Sequence, residues 1–265
     1  FIGFGRMGGA LASGAISSGA VSRSKITVYD PDRKAMGAAR RLKLRVAATE
    51  AAAVTAGDII FLCVKPQQMA STLDHVADIP STEIVKRCFV SIAAGVPISR
   101  IQSRLGARTP VLRVMPNIPA LLGAGASAVS RGRAASARHE GWVRQVLDAV
   151  GETVSVPERL MDAVTALSGS GPAYVFYLAE AMTEAGVALG LKADLARRLA
   201  RQTIYGAGVM LRQRKDEASE LRRQVTSPGG TTAAALAVFD ARNLKALMIA
   251  AMKAASGRSA ELSKL

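Results

Sequence analysis

Three glycines in six residues, Gly3-Phe4-Gly5-Arg6-Met7-Gly8, constrain this chain more than any other feature in it. They follow an apolar start and open a helical pattern at residues 7–19, so they lie where a strand turns into a helix. In that setting the first glycine permits the tight turn and the second lets a pyrophosphate approach the backbone. The third lets helix and strand pack closely. The helix start adds N–H groups that no helical carbonyl accepts, which suits a phosphate. A second strand, 25–30, ends at Asp30, 22 residues beyond Gly8. Strand, glycine turn, helix and acidic strand end together predict a dinucleotide site.

The cofactor choice stays open between NADH and NADPH. A carboxylate such as Asp30 accepts hydrogen bonds from ribose hydroxyls and repels a 2′-phosphate. Arg33 and Lys34 follow at once and offer to neutralise such a phosphate, with Arg23 more distant. The balance leans slightly to NADH.

The same alternation continues. A basic helix (33–43), a short strand at 45–48 and the apolar run 58–66 come next. Further strands are read at 88–95, 111–117 and 127–131, with helices at 67–78, 97–105 and 135–150. Strand alternating with helix predicts an α/β domain with a mainly parallel sheet and right-handed crossovers. Three strands end in signatures suited to a shared crevice: Val64-Lys65-Pro66, Ala93-Ala94-Gly95 and Met115-Pro116-Asn117. Lys65 brings a cation there, and the small residues at 93–95 leave room for a nicotinamide ring.

The character changes after 151–157. From Glu158 on only helical periodicity appears, broken by 168–172 and 227–230, and 173–191 reads as a helix of about five turns. The chain therefore divides into a dinucleotide-binding domain, 1–155, and a helical domain, 156–265. Small apolar side chains dominate that second part, which predicts helices that approach closely and hide their surface against a second copy.

Composition narrows the chemistry. The net charge of +15 raises the question of nucleic acid, but residues 1–155 carry 20 basic and 10 acidic side chains and 156–265 carry 15 and 10. The cations lie along helix faces with few aromatics among them, so no nucleic-acid partner is expected. No apolar run reaches the roughly 20 residues of a membrane helix, and no leader is visible. The chain opens inside an apolar run, so a few preceding strand residues are expected to be missing. Cys63 and Cys88 sit in apolar segments without metal spacing and read as buried free thiols of a reducing, cytoplasmic compartment. His75 and His139 lie in polar helical segments and read as surface residues. No metal site and no Ser-His-Asp arrangement can be assembled. Hydride transfer to a polarised, protonatable C=N bond needs neither.

A resemblance runs over essentially the whole sequence. AVTALSGSGPAYVFYLAEAMTEAGVALGL (163–191), QTIYGAGVML (202–211) and ELRRQVTSPGGTTAAAL (220–236) are similar to pyrroline-5-carboxylate reductases. The pieces FIGFGRMGGAL, VKPQQM, SIAAGVPI and VMPNIP follow in the same order as in that family. The resemblance implies a Rossmann-type domain, a C-terminal all-α dimerisation domain and NAD(P)H-dependent reduction of 1-pyrroline-5-carboxylate to L-proline. It also implies further assembly, as far as a decamer. Ile2, Gly3, Phe4, Gly5, Arg6 and Met7 would hold the pyrophosphate, with Val64 to Pro66 and Ala93 to Gly95 along the nicotinamide half. Ser227, Gly229, Gly230, Thr231 and Thr232 would hold the substrate. Backbone N–H groups at 229–231 would receive its carboxylate, and Thr232 would meet the ring nitrogen.

Three positions depart from the family pattern: Asp30 where a small hydroxyl or Asn is frequent, Glu50 near the adenine ribose where Asn is common, and Gln224 where Asn often precedes the turn. The two acidic replacements favour NADH. Two other readings compete. One is a 3-hydroxyacid dehydrogenase or another imine reductase of the same plan, the former of which needs a central-helix lysine absent from SGSGPAYVFYL. The other is a nucleotide-binding regulatory protein without catalysis.

Overall fold

A computed structural model describes residues 1–263. The chain forms two compact units, one of Phe1–Ser170 together with the chain from Ala254 on, the other of Gly171–Lys253.

The first unit is built on strands β1 (Thr27–Val28), β2 (Arg45–Val46), β3 (Ile59–Leu62), β4 (Cys88–Ser91), β5 (Val111–Met115), β6 (Gly125–Arg131) and β7 (Gly151–Ser155). β3 to β7 form a sheet in that order, and β1 pairs with β2 in a parallel ladder. Ile2 joins the two by bridging Tyr29 on one side and Leu62 on the other. Ile2 thus holds the place of the strand expected ahead of the glycine turn.

The sheet is parallel except between β5 and β6. The physical reason lies in the connection. Only residues 116–124 separate those strands, and they include a 3₁₀ turn, Ile118–Leu122, closed by left-handed Gly123. A parallel crossover needs a dozen residues or more, so the chain folds straight back. β7 is the strand that sequence periodicity missed: 151–157 reads as a junction, yet its first five residues pair with β6.

Helices α1 (Arg6–Ser17), α2 (Arg33–Arg41), α3 (Glu50–Thr55), α4 (Met69–Ala77), α5 (Ser81–Ile84), α6 (Ile98–Leu105) and α7 (Ala137–Asp148) surround these strands. β4 is buried along its whole length, as in a strand covered on both faces. Leu11, Leu112 and Leu147 lie in one core cluster, and Leu62, Leu73, Phe89 and Ile101 in another. α6 shows why such helices form where they do: Ile98, Ile101 and Leu105 put one apolar stripe into the core, and its arginines lie outside that stripe. After β7 come a 3₁₀ turn, α8 (Met161–Val164) and a π-helical turn, Thr165–Gly169.

The second unit contains α9 (Gly171–Ala188), α10 (Ala193–Gln213), α11 (Ala218–Gln224), α12 (Thr231–Ala241) and the first part of α13 (Leu244–Leu262). Small residues bring α9 and α10 together: a Cβ on Gly186 would stand 3.1 Å from Ala196 Cβ. Many large apolar side chains of this unit are exposed in the single chain, including Tyr177 at 74% and Tyr205 at 67%. Among the described residues no helix is long and apolar enough to cross a membrane.

Candidate active site

The glycine turn takes its shape from the strands beside it. Gly3 has φ +90°, donates its N–H to Tyr29 O at 2.8 Å, and has no space for a Cβ, which would lie 2.8 Å from the Cys63 carbonyl. A Cβ on Gly8 would lie 2.6 Å from Gly3 O and 3.2 Å from Cys63 Cβ. Gly5 differs: its φ is −70°, and nothing lies within 4 Å of where its Cβ would be. The protein's own packing requires the first and third glycines, whereas the second faces open space. That is the division expected of a cradle into which a ligand's phosphates descend. Gly5 also caps α1, whose first turn holds no acidic residue and no side-chain cap, so its N–H groups suit an anion.

Asp30 ties the glycine turn to the second strand. Its Oδ2 accepts the Phe4 N–H at 2.6 Å and its Oδ1 accepts the Asp32 N–H at 2.8 Å. Glu50 opens α3, where Thr49 caps the helix by accepting the Ala52 N–H. The Glu50 carboxylate lies 3.3 Å from His75 Nδ1, and its charge acts on the Tyr29 phenol. Burial, then Glu50, then Asp30 push the Tyr29 hydroxyl above its ordinary pKa. Two carboxylates thus flank one phenol at this corner. His75 is exposed, as the sequence predicts, and lies beside Glu50. His139 completes the N-terminal capping box of α7 with Ser136. Arg33 and Lys34 are exposed at the start of α2, which Asp32 caps.

The three strand ends have different surroundings. Val64 is half-buried and Lys65 exposed, and Pro66 starts a 3₁₀ turn. Ala93 is buried, and Gly95 has φ +71°. The space a Cβ would take at Gly95 is filled from α13, with Leu262 Cβ 2.9 Å away. Asn117 is engaged at both ends of its amide: Oδ1 accepts the Ala126 N–H at 2.8 Å, and Nδ2 donates to Ser168 O at 3.0 Å. It braces the β5 end against the π-helical turn, where Met115 also packs on Gly169.

In the helical unit, Ser227-Pro228-Gly229-Gly230 forms a tight turn closed by Gly230 N–H donating to Ser227 O at 3.0 Å. Proline in its second position and Gly229 at φ +70° in its third match a type II turn. A Cβ on Gly230 would collide with Ser227 Oγ. The Gly230 N–H, expected among the carboxylate's donors, is thus already used inside the turn. Gly230 in turn caps α12, which starts with Thr231 and Thr232 and has neither a side-chain cap nor an acid in its first turn. The N–H groups there stay oriented toward a negative group. Upstream, Gln224 donates to Glu220 at 3.2 Å.

Neither cysteine is a plausible nucleophile. Cys88 is buried and Cys63, against expectation, only partly so; loss of solvation still pushes both thiols up to about 12. The thiolate is the reactive form, so its population at pH 8 is negligible. Neither thiol is expected to react with iodoacetamide at pH 8 in the native protein, and both should react once urea unfolds it, as mass spectrometry of the intact chain will read. Rapid native labelling would contradict the packing at Cys63. Among the described residues no three His, Cys, Asp or Glu side chains gather as a metal site.

Residues 158–262 match the family model described as pyrroline-5-carboxylate reductase dimerisation, and residues 1–95 match one described as NADP oxidoreductase coenzyme F420-dependent. The chain is 43% identical to a pyrroline-5-carboxylate reductase of Pseudomonas aeruginosa, over 100% of this chain and 96% of that protein. The chain belongs to the pyrroline-5-carboxylate reductase family. Solved pyrroline-5-carboxylate reductases share its fold. That of Coxiella burnetii superposes with a TM-score of 0.93 at 32% identity, covering 100% of this chain and 98% of the other. A Plasmodium falciparum pyrroline carboxylate reductase with NADP bound gives 0.86 at 28%, covering 99% and 97%. This reductase is thus an oxidoreductase with a Rossmann-like N-terminal part and a helical dimerisation domain.

Sequence reasoning missed Tyr29 and His75 beside Glu50.

Proposed function

We infer that the protein reduces 1-pyrroline-5-carboxylate to L-proline, the last step of proline biosynthesis, with NADH or NADPH as reductant. The observation that carries this reading is the SPGGTT turn: a type II turn that presents two threonines at a helix start without a side-chain cap, in a chain of this family.

Bound reduced nicotinamide supplies the hydride. The protein's part is to bind, orient and protonate. The open face of Gly5 and the first turn of α1 receive the pyrophosphate, flanked by Ile2, Gly3, Phe4, Arg6 and Met7. Val64, Lys65 and Pro66, with Ala93, Ala94 and Gly95, border the nicotinamide half, and Asn117 braces that side. The N–H groups at the start of α12, from Thr231 on, receive the substrate carboxylate, with Ser227, Gly229 and Gly230 shaping the turn around it. The Thr232 hydroxyl hydrogen-bonds the ring nitrogen, which holds the proton as hydride reaches the adjacent carbon. One hydride and one proton convert the C=N bond into the CH–NH of proline.

Residues 1–155 serve the cofactor and 156–265 the substrate and self-association, although 156–170 and the chain from Ala254 on belong to the first compact unit. The exposed apolar side chains of the helical unit favour a dimer, with rings of dimers up to a decamer as the further assembly. The protein works in the cytoplasm, without nucleic acid or membrane as partner. NADH is the preferred donor, because Asp30 and Glu50 stand at the ribose end, where a 2′-phosphate would meet like charge.

An assay of NADH and NADPH oxidation with pyrroline-5-carboxylate, with proline measured as product, tests the reading. No turnover with either cofactor sinks it. Glu50→Gln tests the cofactor choice, since it keeps side-chain length and hydrogen bonding but removes the charge. A carboxylate about 5 Å from a phosphate is worth roughly 1–3 kcal/mol at surface-like dielectric. The ratio of kcat/KM for NADPH over NADH is therefore expected to rise on the order of tenfold or more. An unchanged ratio would mean that the ribose does not lie against Glu50.

A further inference from the structure

The last helix ends on the turn where the nicotinamide half is read. From Ala254 on, α13 belongs to the first unit, and two groups of contacts hold it there. In the first, Ser259, only 3% exposed, donates its hydroxyl to Asp162 Oδ1 at 2.8 Å. Asp162 lies 3.8 Å from a guanidinium nitrogen of Arg113, whose side chain is 7% exposed on β5. Arg113 also reaches Glu158 at 3.6 Å, and Glu158 accepts the N–H of Ile98, the first residue of α6, at 2.8 Å. In the second group, Leu262 fills the side-chain space at Gly95, and Arg100 donates to Ser263 O at 3.2 Å.

These contacts bracket residues 93–98. A buried charge is costly unless opposite charge meets it, so Arg113 draws both carboxylates toward it. Glu158 then holds the α6 end of the turn, and Asp162, through Ser259, holds the helix whose Leu262 backs Gly95. Gly95 has a left-handed φ and no side chain to pack, so its position depends on what backs it.

We propose that Ser259 is a positioning residue for hydride transfer: with Asp162 it seats the end of α13 against Gly95 and so fixes the turn that bears the nicotinamide. The proposal rests on the reductase reading above. Its effect belongs to the chemical step, because hydride transfer is sensitive to misplacement far smaller than that needed to release the cofactor's phosphates.

The test compares Ser259→Ala and Gly95→Ala with the wild type, using reduced nicotinamide carrying deuterium at the transferred position. Gly95→Ala pushes on the same contact from the opposite side, since its Cβ would meet Leu262. Each variant is expected to lower kcat roughly ten- to hundredfold, leave the dinucleotide KM within about twofold, and enlarge the primary isotope effect as chemistry becomes limiting. Activity lost only in proportion to the folded fraction, with an unchanged isotope effect, would overturn the proposal and leave the contact merely structural. Wild-type kcat in Ser259→Ala would overturn it too. Failure of the parent reading is distinct: the wild type itself would not turn over.

Discussion

Gly5→Val is expected to leave the fold intact and to raise the Kd for NADH and NADPH at least a hundredfold. At Gly5 the backbone is in a region open to every L-residue, and a Cβ there meets no protein atom within 4 Å. The substitution therefore belongs with surface changes that move stability by no more than about 0.5 kcal/mol. A descending pyrophosphate meets the new side chain instead, and loses N–H contacts worth about 1.5–3 kcal/mol each. Gly8→Val is the contrasting variant. Its Cβ would lie 2.6 Å from a backbone oxygen, so it should lower the melting temperature as well as binding. A fluorescence titration beside a thermal melt reads both quantities. Cofactor binding by Gly5→Val at wild-type affinity would show that the phosphates do not cross this turn.

Thr232→Ala is expected to lower kcat/KM for pyrroline-5-carboxylate about ten- to hundredfold, as the loss of one transition-state hydrogen bond of roughly 1–3 kcal/mol. The residue stands in the first turn of α12, where alanine is a good helix former, so stability should hold. Thr232→Ser restores the hydroxyl and should recover most of the rate. Gly230→Ala separates binding from chemistry: it displaces the Ser227 hydroxyl and crowds the turn, and should raise the substrate KM more than it lowers kcat. Full activity in Thr232→Ala would remove the role given to its hydroxyl but leave the carboxylate site standing.

Much of the first unit was legible because its signals are local. The glycine spacing marks a strand-to-helix turn, and the apolar run 59–62 marks a strand covered on both faces. Helices α4, α6 and α7 fall close to where periodicity puts them. The misses have equally local reasons. β7 alternates too weakly to stand out, with Thr153 and exposed Glu152 among its five residues, and only pairing with β6 makes it a strand. The reversal at β6 depends on a connection too short for a crossover.

The residues of the SPGGTT turn and of the glycine turn at 3–8 are properties of the sequence itself. Each is contiguous, and glycine and proline at those spacings favour tight turns that local sequence alone announces. The sequence by itself also determined the family, through motifs that recur in order along the whole chain. Only the tertiary structure decided which glycine faces outward, that Tyr29 and His75 meet Glu50, and that Ser259 reaches Asp162 across 97 positions. Those facts rest on distances between segments remote along the chain. Only packing sets such distances, and no local pattern of residue types encodes them.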